Sequence, residues 1–317
     1  MTQTQLEMTL PEAKLPRRPS GPGYRAMQRR RSIAGFAMTL PAIIAVVLFF
    51  LVPLVLVVWI SLNYWPLLGV PRFIGIDNFT RAFTDDFFMR AVGFTLLYTA
   101  IITPVLFVIG LSLALLVRRA RPGVGIFRTI FFIPVVIGLA AASYTWVWLV
   151  QAGIGPLVDI AKRLGLADST TNWLASPGSA LGVIIVMITW KQVGLQMLLF
   201  MAGLQSIPEE LEDAARVDGA SRLQVLRYVF LPLLRPTIAL VLVFGLAHSL
   251  LAFDQFFIVT GGGPSQSTIT AVFSIYRSSF ISFDLGYGSA LSMIALVALA
   301  IVSAIQLLIL RNSDNEQ

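Results

Sequence analysis

The sequence predicts an all-α membrane protein of six transmembrane helices, and three observations carry that prediction. Hydrophobic residues make up 57% of the chain and charged residues only 12%, where ordinary soluble domains carry about 25% charged residues. The natural solvent for so much apolar surface is lipid. Six separate apolar stretches are each long enough to cross about 30 Å of hydrocarbon at about 1.5 Å per residue. Finally, Lys and Arg are shared unevenly between the segments that alternate around those stretches, as the positive-inside rule requires.

Residues 1–32 are polar, Pro- and Arg-rich and without helical periodicity, the composition of a disordered cytoplasmic tail. Lys14, Arg17, Arg18, Arg25, Arg29, Arg30 and Arg31 stand just before the first apolar stretch, which is the pattern of a cytoplasmic flank and not of a nucleic-acid-binding face. A transmembrane domain is expected over 33–311, with spans near 33–62, 87–117, 125–151, 178–204, 233–259 and 286–310, followed by a cytoplasmic C-terminal tail over 312–317. The first stretch is far longer than the roughly 7–15-residue apolar core of a signal peptide, so it reads as a retained helix. All six contain Ala, Gly or Ser, which let helices approach closely in lipid. Tyr64, Trp65, Trp146, Trp148 and Trp173 lie near span ends, where amphipathic rings suit the interface. With the tail inside, the inner segments and flanks hold sixteen basic residues against six on the outer side, Lys191 alone falling within a span. Both termini are therefore expected in the cytoplasm, in agreement with an even number of spans. A soluble helical core would need polar faces that Ile43–Ile60 and Ile238–Leu246 lack.

Composition also removes whole classes of chemistry. There is no cysteine, hence no disulfide, thiolate catalyst or cysteine-ligated metal, and His248 is the single histidine. A P-loop needs Lys after Gly and before Ser or Thr, whereas Lys14, Lys162 and Lys191 follow Ala13, Ala161 and Trp190. No catalytic residue and no metal site is assigned. A polyprenol-linked transferase would need clustered acids near the membrane surface, and a lone secondary transporter would favour inverted repeats; the one acidic cluster, Glu209 to Asp218, has the different explanation that follows, and no such repeat is visible.

Residues 206–232 stand apart from the other connections. Pro208 suits a first helical position, and acids crowd the turn after it, where the helix dipole favours them. Gly219 suits a left-handed helix end. Ser221 and Gln224 fit a capping box for a second short helix, and Pro232 marks the entry to the next span. The first helix carries Leu211, Ala214 and Ala215 on one face, an arrangement suited either to docking in a partner's groove or to a solvated hairpin.

Asp213-Ala214-Ala215, three residues, Gly219, nine residues, then Val229-Phe230-Leu231-Pro232 resembles the EAA motif of ABC importer permeases, with Asp for Glu at 213 and Val for Ile at 229. The run from Ala215 to Ser221 is similar to the version found in sugar importers. The resemblance implies a coupling helix that docks on an ATP-hydrolysing subunit, and assigns that role to Glu212, Asp213, Ala214, Ala215, Asp218, Gly219, Leu231 and Pro232. It implies that ATP and Mg are bound by two partner ATPase subunits and no cofactor by this chain, which is not itself an enzyme.

A second resemblance lies further on. Thr260-Gly261-Gly262-Gly263-Pro264, Tyr276, Phe280 and Gly286-Tyr287 through Ala290 look like the T-x-GGP…Y…F…GYxxA block of the maltose-type and glycerol-phosphate-type permeases, and Phe73-Ile74-Gly75-Ile76-Asp77-Asn78-Phe79 looks like their F-x-G-x-x-N-F element. By itself Gly261–Pro264 is a turn that cannot continue a helix; the expectation is an external loop facing a solute-binding protein. The family implies a substrate site on spans four and five, at positions matching Ile188, Lys191, Gln192, Leu195, Gly245, His248, Ser249 and Ala252. Polar groups inside spans favour the same region, where Trp190 or Phe253 can stack on a sugar and Asp254 lies about two turns beyond His248. Three readings stay open for Lys191, substrate contact, a structural ion pair with Asp254 or snorkelling outward, and two for His248, ligand contact or a helix–helix hydrogen bond. The resemblance implies a subunit of a bacterial or archaeal cytoplasmic-membrane importer, paired with a second homologous permease, accepting a disaccharide or oligosaccharide from an extracytoplasmic binding protein. The alternative is a glycerol phosphodiester or other phosphorylated sugar derivative.

Overall fold

The computed structural model describes residues 35–36, 38–119, 122–166, 168 and 171–314, so the tail expected over 1–32 lies outside the described residues. By packing the chain falls into two units, one ending at Leu56 and the other starting at Val57. Helix α1 (Met38–Ser61) is strongly apolar and free of charged residues and contains a π-helical turn at Val47–Leu51. Its Phe49 and Phe50 rings are largely exposed, as suits a helix whose solvent is hydrocarbon.

In the second unit two short strands, β1 (Asn63–Tyr64) and β2 (Arg72–Phe73), pair antiparallel with Asn63 opposite Phe73. Helices follow as α2 (Asp77–Thr84), α3 (Asp86–Val117), α4 (Val124–Val136), α5 (Leu139–Leu149), α6 (Pro156–Arg163), α7 (Pro177–Gln205), α8 (Glu209–Val217), α9 (Arg222–Leu233), α10 (Arg235–Leu250), α11 (Asp254–Val259), α12 (Ala271–Tyr276) and α13 (Leu285–Asp314).

Four helices, α1, α3, α7 and α13, are long and apolar enough to cross a membrane, and the bent pairs α4–α5 and α9–α10 raise the number to six if each pair is one span. The spans expected near 125–151 and 233–259 are thus not single unbroken helices. The first is bent by 98° between α4 and α5. Pro134 lacks the N–H that would continue the helix, and Ile137 and Gly138 take extended conformations. The second is interrupted where α10 stops at Leu250, so Asp254 opens the separate helix α11 rather than lying along the same rod, while the 76° bend between α9 and α10 falls at its entry. At the other end, α13 runs on to Asp314, so the tail expected from residue 312 is helical that far.

The core lies between α3, α5, α7 and α11. Tyr98, Ile102, Ile184, Met187, Ile188 and Phe256 are fully buried there, with the Phe94 and Tyr98 rings meeting Phe256 edge-on at 5.2 and 5.0 Å. Close helix contact depends on missing side chains. A Cβ at Gly110 of α3 would lie 2.7 Å from Cβ of Gln196 on α7, and one at Gly194 would fall on the Phe131 carbonyl of α4.

The strand pair is tied to the spans by polar groups. Buried Asn78 donates to the carbonyls of Ser61 (2.9 Å) and Asn63 (3.0 Å), and Gly286 leaves room for the same Asn63 carbonyl against α13. Asp85 caps α3 by accepting from the N–H groups of Phe87 and Phe88, and the Tyr287 hydroxyl donates to its other oxygen at 2.7 Å. Burial works to raise the Asp85 pKa, but the Tyr287 hydroxyl, the two backbone N–H groups and the charge of Arg81 outweigh it and hold the carboxyl below its ordinary value. That contribution to stability is present above the ordinary carboxylate range and is lost as pH falls through the lowered value. These contacts give Asn78, Gly286 and Tyr287 structural roles.

Gly194→Ala is expected to destabilise the fold by about 1–3 kcal/mol, because the added methyl meets backbone that cannot yield. Gly182→Ala, in the same helix with nothing within 4 Å of its Cβ position, should instead raise stability by about 0.5–1 kcal/mol. Thermal melts of the two variants in one detergent measure the contrast, and equal shifts would count against the α4–α7 contact.

Candidate functional site

Three features fall in the regions expected to be functional. The first is a cavity of about 380 Å³ between α7, α10 and the break before α11. Of the residues expected to bind substrate, Gln192, Leu195, Gly245, His248, Ala252, Phe253 and Asp254 line it. Among its lining residues there is no Lys or Arg. The side-chain amide of Gln192 donates to a ring nitrogen of His248 at 3.0 Å, which links α7 to α10 across the opening. Two further amides, Gln196 and Gln255, also line the cavity and were not among the expected residues. Both are buried, and the side-chain oxygen of each has no hydrogen-bond partner, a deficit that an incoming hydroxyl would relieve. The signal for Gln196 was its spacing, one helical turn from Gln192 on the same face. Gly245 matters by its size, since a Cβ there would sit 3.7 Å from the Gln196 amide nitrogen.

The other four expected residues point elsewhere. Ile188 belongs to the core. Trp190 packs on Trp146 with ring centroids 6.0 Å apart, and the buried Ser249 hydroxyl donates to the Leu246 carbonyl at 3.0 Å. Lys191 donates from Nζ to the Val135 carbonyl at 3.1 Å, at the end of α4. The partner of Lys191 is thus a backbone carbonyl and not Asp254.

The second feature is α8. Pro208 is its N-cap rather than its first residue, so the helix begins one residue later than expected. Its end is a Schellman motif, with Gly219 at φ +82°, the Gly219 N–H on the Arg216 carbonyl and the Ala220 N–H on the Ala215 carbonyl at 2.9 Å. The Ser221–Gln224 capping box opens α9 as expected. Leu211, Asp213, Ala214, Val217 and Asp218 are exposed, whereas Ala215, expected beside Leu211 and Ala214, turns toward the apolar cluster under the helix together with Leu231. Glu212 is buried and faces inward, paired with Arg118, with Arg119 at 3.1 Å and with Arg216 at 2.6 Å. The Arg118 guanidinium also lies 4.4 Å above the Phe230 ring. Glu212 thus ties α8 to the end of α3, and Arg118 in turn meets α9.

The third feature is the loop from Thr260 to Thr268. Gly261 and Gly262 take left-handed conformations. The buried Thr268 hydroxyl donates to the Gly263 carbonyl at 2.7 Å and lies 2.7 Å from the Thr260 hydroxyl. Gly261, Gly262, Gly263 and Pro264 therefore form a folded loop. Among the described residues no three metal-ligating side chains converge.

Comparison with known proteins is decisive about the family. Residues 107–313 match the model of the binding-protein-dependent transport system inner membrane component. The chain belongs to this family. It is 30% identical, over 91% of its length and 96% of the relative's, to the sn-glycerol-3-phosphate transport system permease protein UgpA of Yersinia pestis. It is 34% identical, over 86% of its length and 93% of the relative's, to the multiple sugar-binding transport system permease protein MsmF of Streptococcus mutans. Its fold matches a chain in the crystal structure of a bacterial ABC transporter involved in the import of the acidic polysaccharide alginate, with a TM-score of 0.79 and 22% identity over 91% of this chain and 99% of that one. The permease fold expected from the EAA-like segment is thus established, and this chain is an inner-membrane transporter component. The matched region contains the cavity, α8 and the Thr260–Thr268 loop.

Glu212→Gln would leave three guanidiniums without a counter-charge and is expected to loosen α8 by about 3 kcal/mol, read as roughly hundredfold faster amide exchange in α8. Asp213→Asn, on the exposed face, should leave that exchange unchanged; α8 protection insensitive to both would refute the inward anchor. Lys191→Met should lower the melting temperature in detergent by orphaning the Val135 carbonyl, and an unshifted melt would remove Lys191 from that role.

Proposed function

We propose that the chain is one of two permease subunits of an ATP-driven importer, and that the cavity between α7, α10 and α11 is its part of the path for a neutral disaccharide or oligosaccharide. The observation that carries the substrate class is the lining. Gln192, Gln196, Gln255 and His248 are neutral donors and acceptors suited to hydroxyls. Phe244 and Phe253 supply apolar faces of the kind sugars stack on, and Asp254 suits a hydroxyl donor. The relative MsmF is named for a multiple sugar-binding transport system, which supports the same class.

The remaining assignments belong to this reading. The exposed Asp213–Ala214 face of α8 docks on one of two ATPase subunits that bind ATP and Mg, with Asp218, Gly219 and Pro232 setting its position. Gly261–Pro264 faces the extracytoplasmic binding protein. Both termini lie in the cytoplasm, on the strength of the Lys and Arg asymmetry. Closure of the ATPase pair moves α8 and turns the permeases outward, opening the cavity to the delivered solute.

One observation favours a second reading. The relative UgpA is named for sn-glycerol-3-phosphate, so a glycerol phosphodiester or phosphorylated sugar is the alternative. On that reading the cation for the phosphate comes from the partner permease, since Lys191 is engaged with Val135.

The test is ATPase activity of the complex reconstituted with its binding protein, against a panel of neutral oligosaccharides and glycerol phosphodiesters. Stimulation by a neutral sugar is expected. Gln192→Ala and His248→Ala should then each raise the KM for transport about fivefold to tenfold, the worth of one hydrogen bond. Stimulation by phosphodiesters alone would replace the substrate class with the alternative. Gly219→Pro should abolish stimulated transport while the protein still inserts, and normal uptake by that variant would remove the docking role from α8.

A further inference from the structure

Beside α8 lies a second and larger cavity, of about 730 Å³, that the transport path does not use. It opens between the end of α3, α8 and the start of α9. Four arginines, Arg118, Arg119, Arg216 and Arg222, line it with a single acid, Glu212. Glu212 already answers three of those guanidiniums, and Glu209, outside the lining, also acts on Arg118, so the four arginines keep an excess of positive charge. The crowding registers on Arg118, which burial first, and then the charges of Arg119 and Arg216, pull below its ordinary value. An anion entering this cleft would relieve like-charge repulsion without displacing the Glu212 contacts.

The rest of the lining is apolar, and it continues onto the outside of a span. Leu116 and Leu223 are each 73% exposed, beside Leu115, Leu226 and Phe230. Pro104, Val108, Ser112 and Leu116 recur one turn apart on α3 and all are exposed, which makes a stripe running from membrane depth down to the arginines. The Ser112 hydroxyl is folded back onto the Val108 carbonyl at 2.6 Å, so it adds no free donor to that stripe. A free inorganic anion would use the arginines alone, whereas a molecule with a phosphate at one end and hydrocarbon at the other uses both surfaces. Basic clefts at the inner ends of spans suit anionic headgroups for this reason.

From this geometry we infer that the cleft between α3, α8 and α9 is a binding site for an anionic phospholipid, its phosphate among Arg119, Arg216 and Arg222 and an acyl chain along Val108–Leu116. The site is independent of which solute is carried. It places a lipid headgroup against the same helix whose buried Glu212 ties α8 to α3, so lipid occupancy bears on how firmly α8 is held.

Native mass spectrometry of the assembly purified in mild detergent tests this, with phosphatidylglycerol, phosphatidylcholine and inorganic phosphate added separately. Phosphatidylglycerol should be retained at least about tenfold better than phosphatidylcholine, and the double variant Arg119→Gln, Arg222→Gln should lose that preference. The two lipids compared on unaltered protein keep the test valid if the double variant does not fold. Equal retention of both lipids overturns the site. Competition by inorganic phosphate at concentrations similar to those of phosphatidylglycerol overturns the lipid as its source. Binding by the isolated chain but not by the assembly overturns it as well, since a partner subunit would then fill the cleft.

Discussion

In hydrocarbon a backbone carbonyl without a hydrogen bond costs several kcal/mol, so each break in a spanning helix has to be answered by a group from elsewhere. Much of this structure follows from where those breaks fall. Pro134 and the extended Ile137–Gly138 pair stop α4 and turn the chain by 98°, leaving carbonyls at the end of α4 with no helical donor. Lys191 reaches across from α7 to the Val135 carbonyl. A cation at a helix C-terminus also meets the negative end of the helix dipole. Gly194, on the same helix, lets the Phe131 backbone close against α7. The other break is met similarly: the Thr270 hydroxyl donates to the Ala252 carbonyl at 2.7 Å, beyond the end of α10.

The breaks are also where the cavity lies. Irregular backbone is tolerated at membrane depth where it is covered by protein or lines a water-accessible space, and half-helix ends at such depth are a recurrent way of building transport sites. Leu139, just past the α4–α5 bend, and Leu251, Ala252 and Phe253, past the end of α10, all line the cavity. Straight rods over 125–151 and 233–259 would have filled this space with packed side chains. Breaking them instead leaves Gln192, Gln196, His248 and Gln255 around an open cavity.

Elements governed by local chemistry were legible in the sequence. Gly219 ends α8 because a left-handed residue is needed there, and Ser221 with Gln224 caps α9; both signals are written in neighbouring residues. The apolar lengths likewise locate the membrane segments. The breaks were harder, because apolarity is insensitive to direction and Pro134 with Gly138 sits inside an unbroken apolar run. Neighbours on a helix pose a related difficulty. They point about 100° apart, so Lys191 goes to α4 while Gln192 faces His248, and Glu212 is buried while Asp213 is exposed. Assigning both members of each pair to one role is what a linear pattern invites, and packing separates them.

That separation gives α8 two faces with different tasks. On the proposed function, Asp213 and Ala214 meet the ATPase subunit from outside, while Glu212 holds the helix from within. The inner contacts lead toward the cavity through packed groups. Glu212 pairs with Arg118 at the end of α3, α3 lies on α7 where Gly110 faces Gln196, and Gln196 lines the cavity. Arg118 adds α9 through its contact with the Phe230 ring. A buried carboxylate held by three guanidiniums resists separation far more than an exposed pair, because parting them leaves desolvated charge behind. On the proposed function, a push on α8 is therefore passed to α3 and α9 together rather than absorbed at the surface. The absence of a side chain at Gly110 leaves α3 and α7 no soft layer in which to lose the displacement before it reaches the amides around the cavity.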